Sequence, residues 1–199
     1  MATPTPAKRC STRDKMLVSA ARVLRERGVA GVTIDEVLSR SGAPRGSVYY
    51  HFPHGRSQLL TEALRHAGDA ITAIIDDAAT GGGVTMVRHF VDFWERELVD
   101  TDFDAGCPVV AAATSSTEDE PQLTSVAGEI FGHWREALTR AFAADGFDEP
   151  EAASLAVTCI AAMEGAVVLC RSTRSVGPLH DVARQIEFLL RSREFVRQH

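Results

Sequence analysis

Between Val32 and Pro53 the sequence leaves the chain little conformational choice. Thr33 followed by Glu36 has the pattern of a helix-opening capping box, and Val32 and Val37 flank it as a hydrophobic staple. Ser41-Gly42 interrupts that helix early, and Pro44, whose fixed φ suits a first helical turn, opens another that is predicted to run to Phe52. Pro53, His54 and Gly55 close the unit. Two short helices across a tight turn follow from this pattern.

Helical spacing extends through the rest of the chain. Met16, Leu17, Ala20, Ala21 and Leu24 mark a first helix over Thr12 to Arg27, stopped at Gly28. Ser57 leads a longer one with Leu59, Leu60, Ala63, Leu64, Ala67, Ile71, Ile74 and Ile75 on one side. After Gly81-Gly82-Gly83 the period returns in Val87, Phe90, Val91, Trp94 and Leu98, and again from Leu123 to Phe142. Ala105 to Ala113, with Pro108 near its start, reads as a short buried helix, and two more are predicted over about Glu151–Arg171 and Leu179–Arg197. No strand pattern, internal repeat or sustained heptad competes. The expected fold is all-α, with about nine helices. An N-terminal arm and three-helix unit covers residues 1–56, a helix over about 57–79 links it onward, and a larger helical unit covers 57–199.

The net charge of −6 conceals a division. Residues 1–56 hold 10 basic and 4 acidic side chains, a balance of +6, while 57–199 hold 11 and 23, a balance of −12. A basic end on an acidic body points one end of the molecule at a polyanion. Met1 to Arg9 has no apolar core segment, so a loose arm is expected there, neither a signal peptide nor an anchor. The apolar run Ala152–Cys170 is interrupted by Glu164 and is better read as a buried helix than as a membrane span. Cys10, Cys107, Cys159 and Cys170 show no ligand spacing, and His51-x-x-His54 has no third partner. We therefore expect a reducing cytoplasm, no metal and no cofactor.

Two short helices with a glycine in the turn match a helix-turn-helix, whose second helix enters the major groove of double-stranded DNA. Here that helix is Pro44 to Phe52. Arg45 can reach guanine or a phosphate, Ser47 can donate or accept, and Tyr49, Tyr50 and His51 carry phosphate-reaching groups. Gly46 costs up to about 1 kcal/mol against Ala inside a helix, so its presence there points to close approach by an outside body. Val48 and Phe52 are read as core.

The run Gly31-Val32-Thr33-Ile34-Asp35-Glu36-Val37, then Ser41-Gly42-Ala43-Pro44-Arg45-Gly46-Ser47-Val48-Tyr49-Tyr50-His51-Phe52, resembles the DNA-binding segment of TetR-type regulators. The resemblance covers about residues 12–65. It implies a three-helix DNA-binding domain on a larger helical domain that binds an effector and dimerises, with Thr33 and Arg56 touching phosphates beside Tyr49, Tyr50 and His51. Pro44 departs from the Ser or Thr frequent in the family, and Arg56 stands where Lys is frequent. Gly106-Cys107-Pro108, Trp134 and Glu164-Gly165-Ala166 are similar to the LmrA/YxaF-like branch, whose members resemble repressors of drug-resistance and oxidoreductase genes.

A ligand-responsive regulator needs a body whose ligand prefers one of its arrangements. Phe90, Phe93, Trp94, Cys107, Phe131, Trp134 and Met163 are candidates to line an apolar effector cavity, with Glu164 as its polar or cation-selecting group. Ordinary core packing is the competing reading of each aromatic. Glu164 stands apart, because an acid in an apolar helix must be paired, protonated or set at a pocket. Small residues Ala161, Ala162, Gly165 and Ala166 beside Val167, with Val182, Ala183, Ile186, Leu189 and Leu190, suit a two-fold homodimer interface. Such a dimer reads a pseudo-palindromic operator. The expected function is a repressor released from its operator by a small apolar or cationic effector. A helical interaction module without DNA binding is the alternative. An enzyme is less favoured, since no nucleophile elbow, P-loop or HExxH is present.

Overall fold

The computed structural model describes residues 11–115 and 120–197; the expected N-terminal arm and Cys10 lie outside them. The described residues form nine helices and no strand: α1 (Thr12–Gly31), α2 (Ile34–Ser41), α3 (Ser47–His51), α4 (Gly55–Ala79), α5 (Gly83–Asp100), α6 (Pro108–Ala113), α7 (Gln122–Ala144), α8 (Glu149–Thr173) and α9 (Gly177–Arg197). The α1 helix packs on α2, α4 and α6; α4 runs onward against α7; α7 packs on α8, α8 on α9, and α9 back on α5. One buried apolar cluster extends without a break from Met16, Leu24, Val48 and Phe52 to Trp94, Trp134, Phe142 and Met163.

Local chemistry explains the helix ends. Ser11 and Asp14 form a reciprocal capping box, the Ser11 hydroxyl accepting from the Asp14 amide and the Asp14 carboxylate from the Ser11 amide, both at 3.1 Å. Gly28, at φ 68°, breaks α1 where the sequence places its stop, but one further short helical stretch follows before Val32. At α2 only half of the expected box forms. The Thr33 hydroxyl accepts from the Glu36 amide at 3.1 Å, whereas the Glu36 carboxylate is drawn off by Arg40 at 2.7 Å and Arg27 at 3.2 Å. Charged guanidinium donors outcompete a backbone amide for the same oxygen. Val32 and Val37 are fully buried, as a staple requires.

The second short helix starts later than the sequence suggests. Gly42, at φ 64°, ends α2 in the left-handed region. Pro44, Arg45 and Gly46 then form a turn rather than the first helical residues. The amide and hydroxyl of Ser47 both donate to the Pro44 carbonyl, at 2.9 and 2.6 Å, so the helix proper begins at Ser47.

By length and composition α8 is apolar enough to cross a membrane. Its buried residues Ala156, Cys159, Met163, Glu164 and Val167 belong to the common core between α7 and α9.

Candidate functional site

Two groups of residues stand out, one on the surface around α3 and one inside the body around α8. On α3, Val48 is fully buried and pins the helix to the core, as is Phe52 just beyond its end. That anchoring turns the opposite face outward: Tyr49 is 65% and Tyr50 81% exposed, with His51 edge-on to the Tyr50 ring at 4.9 Å between centroids. Two adjacent exposed rings, each with a polar tip, make a surface suited to an outside partner. Arg45 is also exposed, facing only Asp35 at 3.3 Å. An exposed pair of that kind contributes little and is readily given up to a phosphate or a base edge. Thr33 is exposed and spends its hydroxyl on its own helix cap, and Ser47 turns its hydroxyl back to Pro44.

Gly46 is instructive because neither its φ nor crowding demands a glycine there. Its φ is −67°, and a Cβ added there meets no atom within 4 Å. Gly46 lies not inside the helix, where the sequence places it, but at the N-cap of α3, where glycine is well tolerated, and the open space around it leaves room for close approach by an outside body. Gly46→Ala is expected to leave the melting temperature unchanged or slightly raised while weakening DNA binding, checked by thermal denaturation beside titration of a duplex. Unchanged affinity would remove Gly46 from the contact surface.

Arg56 occupies a different place from the one the resemblance implies. Its guanidinium donates to the carbonyls of Val32 and Val29, each at 2.7 Å, and pairs with the carboxylate of Glu120 at 2.8 Å. Glu120 is buried just ahead of α7, where Gln122 also donates to it, at 2.5 Å, and to Ser57 at 2.6 Å. Arg56 thus fastens the α1–α2 connection to the body instead of presenting its charge to solvent. Sequence reasoning missed Glu120 entirely, since nothing in the local pattern marks its distant partner.

Inside the body, a cavity of about 40 Å³ is lined by Met86, Phe90, Trp134, Ile160, Met163 and Glu164, among others. It holds a few waters at most. On its far side an open groove of about 430 Å³ runs between α7 and α8, lined by Gly128, Phe131, Gly132, Val157, Ile160 and Glu164. That volume is within the range of small-molecule sites. Glu164 and Ile160 line both spaces and form the partition between them.

Of the sequence-based candidates, Phe90, Trp134, Met163 and Glu164 meet at the cavity and Phe131 lines the groove, edge-on to Trp134 at 5.3 Å. Trp134 is fixed from behind by donating to the Thr72 hydroxyl at 2.8 Å. Cys107 does not line the cavity but lies against Glu164. Two further expectations fail. Phe93 faces a cleft at the joint with α1, beside Val18, Ala21 and Arg22: it shares the helical spacing of Met86 and Phe90 but lies further along α5 than the cavity extends. Trp94 is fully buried core, with the Arg25 guanidinium 5.7 Å above its ring.

Glu164 differs in kind from the other buried acid. Glu120 is satisfied by Arg56 and Gln122, whereas neither oxygen of Glu164, a residue only 8% exposed, reaches a hydrogen-bond partner. The Cys107 thiol beside it offers only a weak donor. Burial pushes the Glu164 carboxyl from 4.5 up to about 7, with the thiol pulling slightly the other way. Ionised Glu164 therefore carries a burial cost of about 3 kcal/mol. The folded state retains the proton longer than the unfolded one, so this cost appears as pH rises from 4.5 to about 7 and persists above. Glu164→Gln is expected to raise the melting temperature at about pH 8 and to leave it near wild type below pH 4.5. A gap that does not grow with pH would show the acid to be better solvated than its surroundings indicate. Burial likewise raises the thiols of Cys107, Cys159 and Cys170, Cys159 to about 12, which keeps them protonated and unreactive.

Half of the ten residues expected at a dimer interface are turned inward, and of the larger ones only Leu189 is open to solvent. Ala166, Val167, Ala183, Ile186 and Leu190 face the molecule's own core. Val157, Val168 and Leu169 of α8 and Phe188 and Leu189 of α9 are instead half or more exposed.

Comparisons with known proteins agree with this geometry. Residues 16–63 match the family model of bacterial regulatory proteins of the tetR family, and residues 83–185 match that of the C-terminal domain of LmrA/YxaF-like transcriptional regulators. The chain is 39% identical over 183 residues to the HTH-type transcriptional regulator Rv0196 of Mycobacterium tuberculosis, covering 89% of this chain and 93% of that protein. It is 28% identical to the HTH-type transcriptional regulator LmrA of Bacillus subtilis, over 90% and 97% of the two chains. The fold is similar to a TetR transcriptional regulator from Legionella pneumophila, with a TM-score of 0.78 at 19% identity over 93% and 99% of the chains.

Proposed function

Because this chain belongs to the TetR family of DNA-binding transcriptional regulators, in its LmrA/YxaF-like branch, and is not an enzyme, we propose that it is a homodimeric repressor released from its operator by a small molecule that reaches Glu164. The observation that carries this reading is the unpartnered, buried carboxylate set between an apolar cavity and a ligand-sized groove. An acid left without a donor inside a core costs stability unless something else supplies one. A cation or a hydrogen-bond donor attached to an apolar body does so, and Phe90, Phe131, Trp134 and Met163 offer that body its surface. The 40 Å³ cavity must open to admit it, and a ligand that favours the opened form shifts the population of the two arrangements.

On the DNA side, Arg45, Gly46, Ser47, Tyr49, Tyr50 and His51 form the surface offered to a major groove, with Thr33 beside its start. Repression follows from occupancy: a dimer seated on a promoter excludes other proteins from the same duplex. The two-fold partner sits on the exposed apolar face of Val157, Val168, Leu169, Phe188 and Leu189. Val157 also lines the groove, so the partner forms part of that groove's wall. Half-sites spaced by about one helical turn, or modestly more, suit such a dimer.

The test is a screen of small apolar and cationic compounds for those that both raise the melting temperature and lower DNA affinity. Glu164→Gln is expected to weaken the response to a hit while leaving DNA affinity without it nearly unchanged. A hit that acts equally on Glu164→Gln would place the effector elsewhere.

A further inference from the structure

The α5–α6 connection, residues 101–107, ties the interior acid to the DNA-binding unit. Its backbone is strained: Asp102 and Phe103 both take positive φ, at 50° and 61°, a conformation costly for residues other than glycine. Arginines from two directions hold it there. From α8, Arg171 donates to the Asp104 carbonyl at 2.7 Å, and Arg174 pairs with the Asp102 carboxylate. From α1, Arg25 clasps Gly106 at two points, its carbonyl accepting from the Gly106 amide at 2.9 Å and its Nε donating to the Gly106 carbonyl at 3.3 Å. The same guanidinium pairs with Glu97 and lies over the Trp94 ring. The very next residue is Cys107, buried against Glu164 and forming the N-cap of α6, which itself packs on α1.

Gly106 is also a fitted position. A Cβ there would fall 2.8 Å from Nη1 and 3.0 Å from Cδ of Arg171, so with a side chain at this position the Arg171 arm would have to shift from where it now rests on the peptide. Glu164, Cys107, Gly106 and Arg25 therefore form a continuous path from α8 to α1, with the strained loop in its middle.

We propose that the α5–α6 loop is the element that couples the Glu164 site to the DNA-binding unit, with Arg25 as the positioning residue that transmits its state. The proposal deepens the effector reading but is tested without an effector. Coupling is reciprocal, so if the Glu164 site reports to the DNA-binding face, DNA must report back to Glu164. The long α4 helix, shared by both units, is the rival route.

The experiment is hydrogen exchange read by mass spectrometry on the full chain, with and without a duplex selected from a random library for tight binding. In the wild type, DNA is expected to slow exchange about threefold or more in peptides covering 102–113 and 159–167. In Arg25→Met, and separately in Glu97→Gln, DNA affinity is expected to stay within about threefold of wild type while the slowing at 159–167 disappears. Slowing at 159–167 that persists in both variants would assign the coupling to α4 and overturn the proposal. So would a wild type in which DNA leaves 102–113 unchanged. Loss of DNA binding by both variants at an unchanged melting temperature would also overturn it, since Arg25 would then act within the DNA-binding unit. A failed effector search leaves these outcomes untouched, and absence of coupling leaves the ligand reading standing.

Discussion

Arg45→Ala is expected to lower affinity for a selected duplex about tenfold or more, with no change in melting temperature. The side chain is 81% exposed and its one ion pair, to Asp35, is equally open to water, so the fold loses almost nothing when it is removed. A single base or phosphate contact contributes about 1–3 kcal/mol, and a two-fold dimer makes each contact twice. The salt dependence separates the two kinds of contact. If Arg45 neutralises a phosphate, the slope of log affinity against log salt falls by about one for each phosphate left without its cation. If it reads guanine, the slope changes little and discrimination at one position of each half-site relaxes. Unaltered affinity and specificity would mean that α3 and its turn do not face DNA in the orientation proposed.

The second large effect is expected from Arg56→Ala, and it falls on stability rather than on recognition. Removing the guanidinium takes the counter-charge from the buried Glu120 carboxylate, leaving it with the Gln122 amide, and strips the Val29 and Val32 carbonyls of a side-chain donor at once. Breaking one side of a buried ion pair costs about 3–5 kcal/mol, and partial exposure of Arg56 places this case toward the lower end. Denaturant titration should show a loss of about 3 kcal/mol. The double replacement Arg56→Met with Glu120→Met is expected to recover a good part of it, because neither buried charge then remains unpaired. A variant that unfolds like wild type but loses DNA affinity and salt slope would return Arg56 to the phosphate backbone and contradict the latch.

These two arginines show how far the sequence could be read. Arg45 stands next to a turn, on a segment whose helix caps, glycine and proline are local signals, and local signals survive without knowledge of the fold. The same holds for Val48 and Phe52, whose burial follows from their spacing. Arg56 lies in the same stretch, but its partner Glu120 is 64 positions away, and no periodicity records that meeting. Glu36 marks the same limit at shorter range: the motif specifies a cap, and Arg40 one turn on, with Arg27 from α1, takes the carboxylate instead.

In the body, Glu164 is legible because a charge interrupts an apolar helix, which is a conflict visible in one dimension. Phe93 and Trp94 are misplaced by sequence reasoning because both continue the helical spacing of Met86, Val87 and Phe90, and only the packing of α5 decides how far along the helix the cavity extends. The Arg25–Gly106 clasp spans 81 positions and rests partly on backbone groups, which leave no trace in residue identity. Similarly, the interface candidates on α8 and α9 fall on elements with an open apolar face, but only some of the residues lie on that face. Two faces of each helix are apolar, and residue identity does not distinguish the one occupied by the chain's own core from the one left open.

Everything proposed for recognition rests on the face built by Arg45, Tyr49, Tyr50 and His51 being the one that meets DNA. Affinity of the unmodified chain for a selected duplex, measured across a series of salt concentrations, decides it. Tight binding at low salt is expected, with log affinity falling linearly and steeply with log salt as phosphate-bound counterions are released. Binding that is absent, or that does not respond to salt, would show that this face has another use.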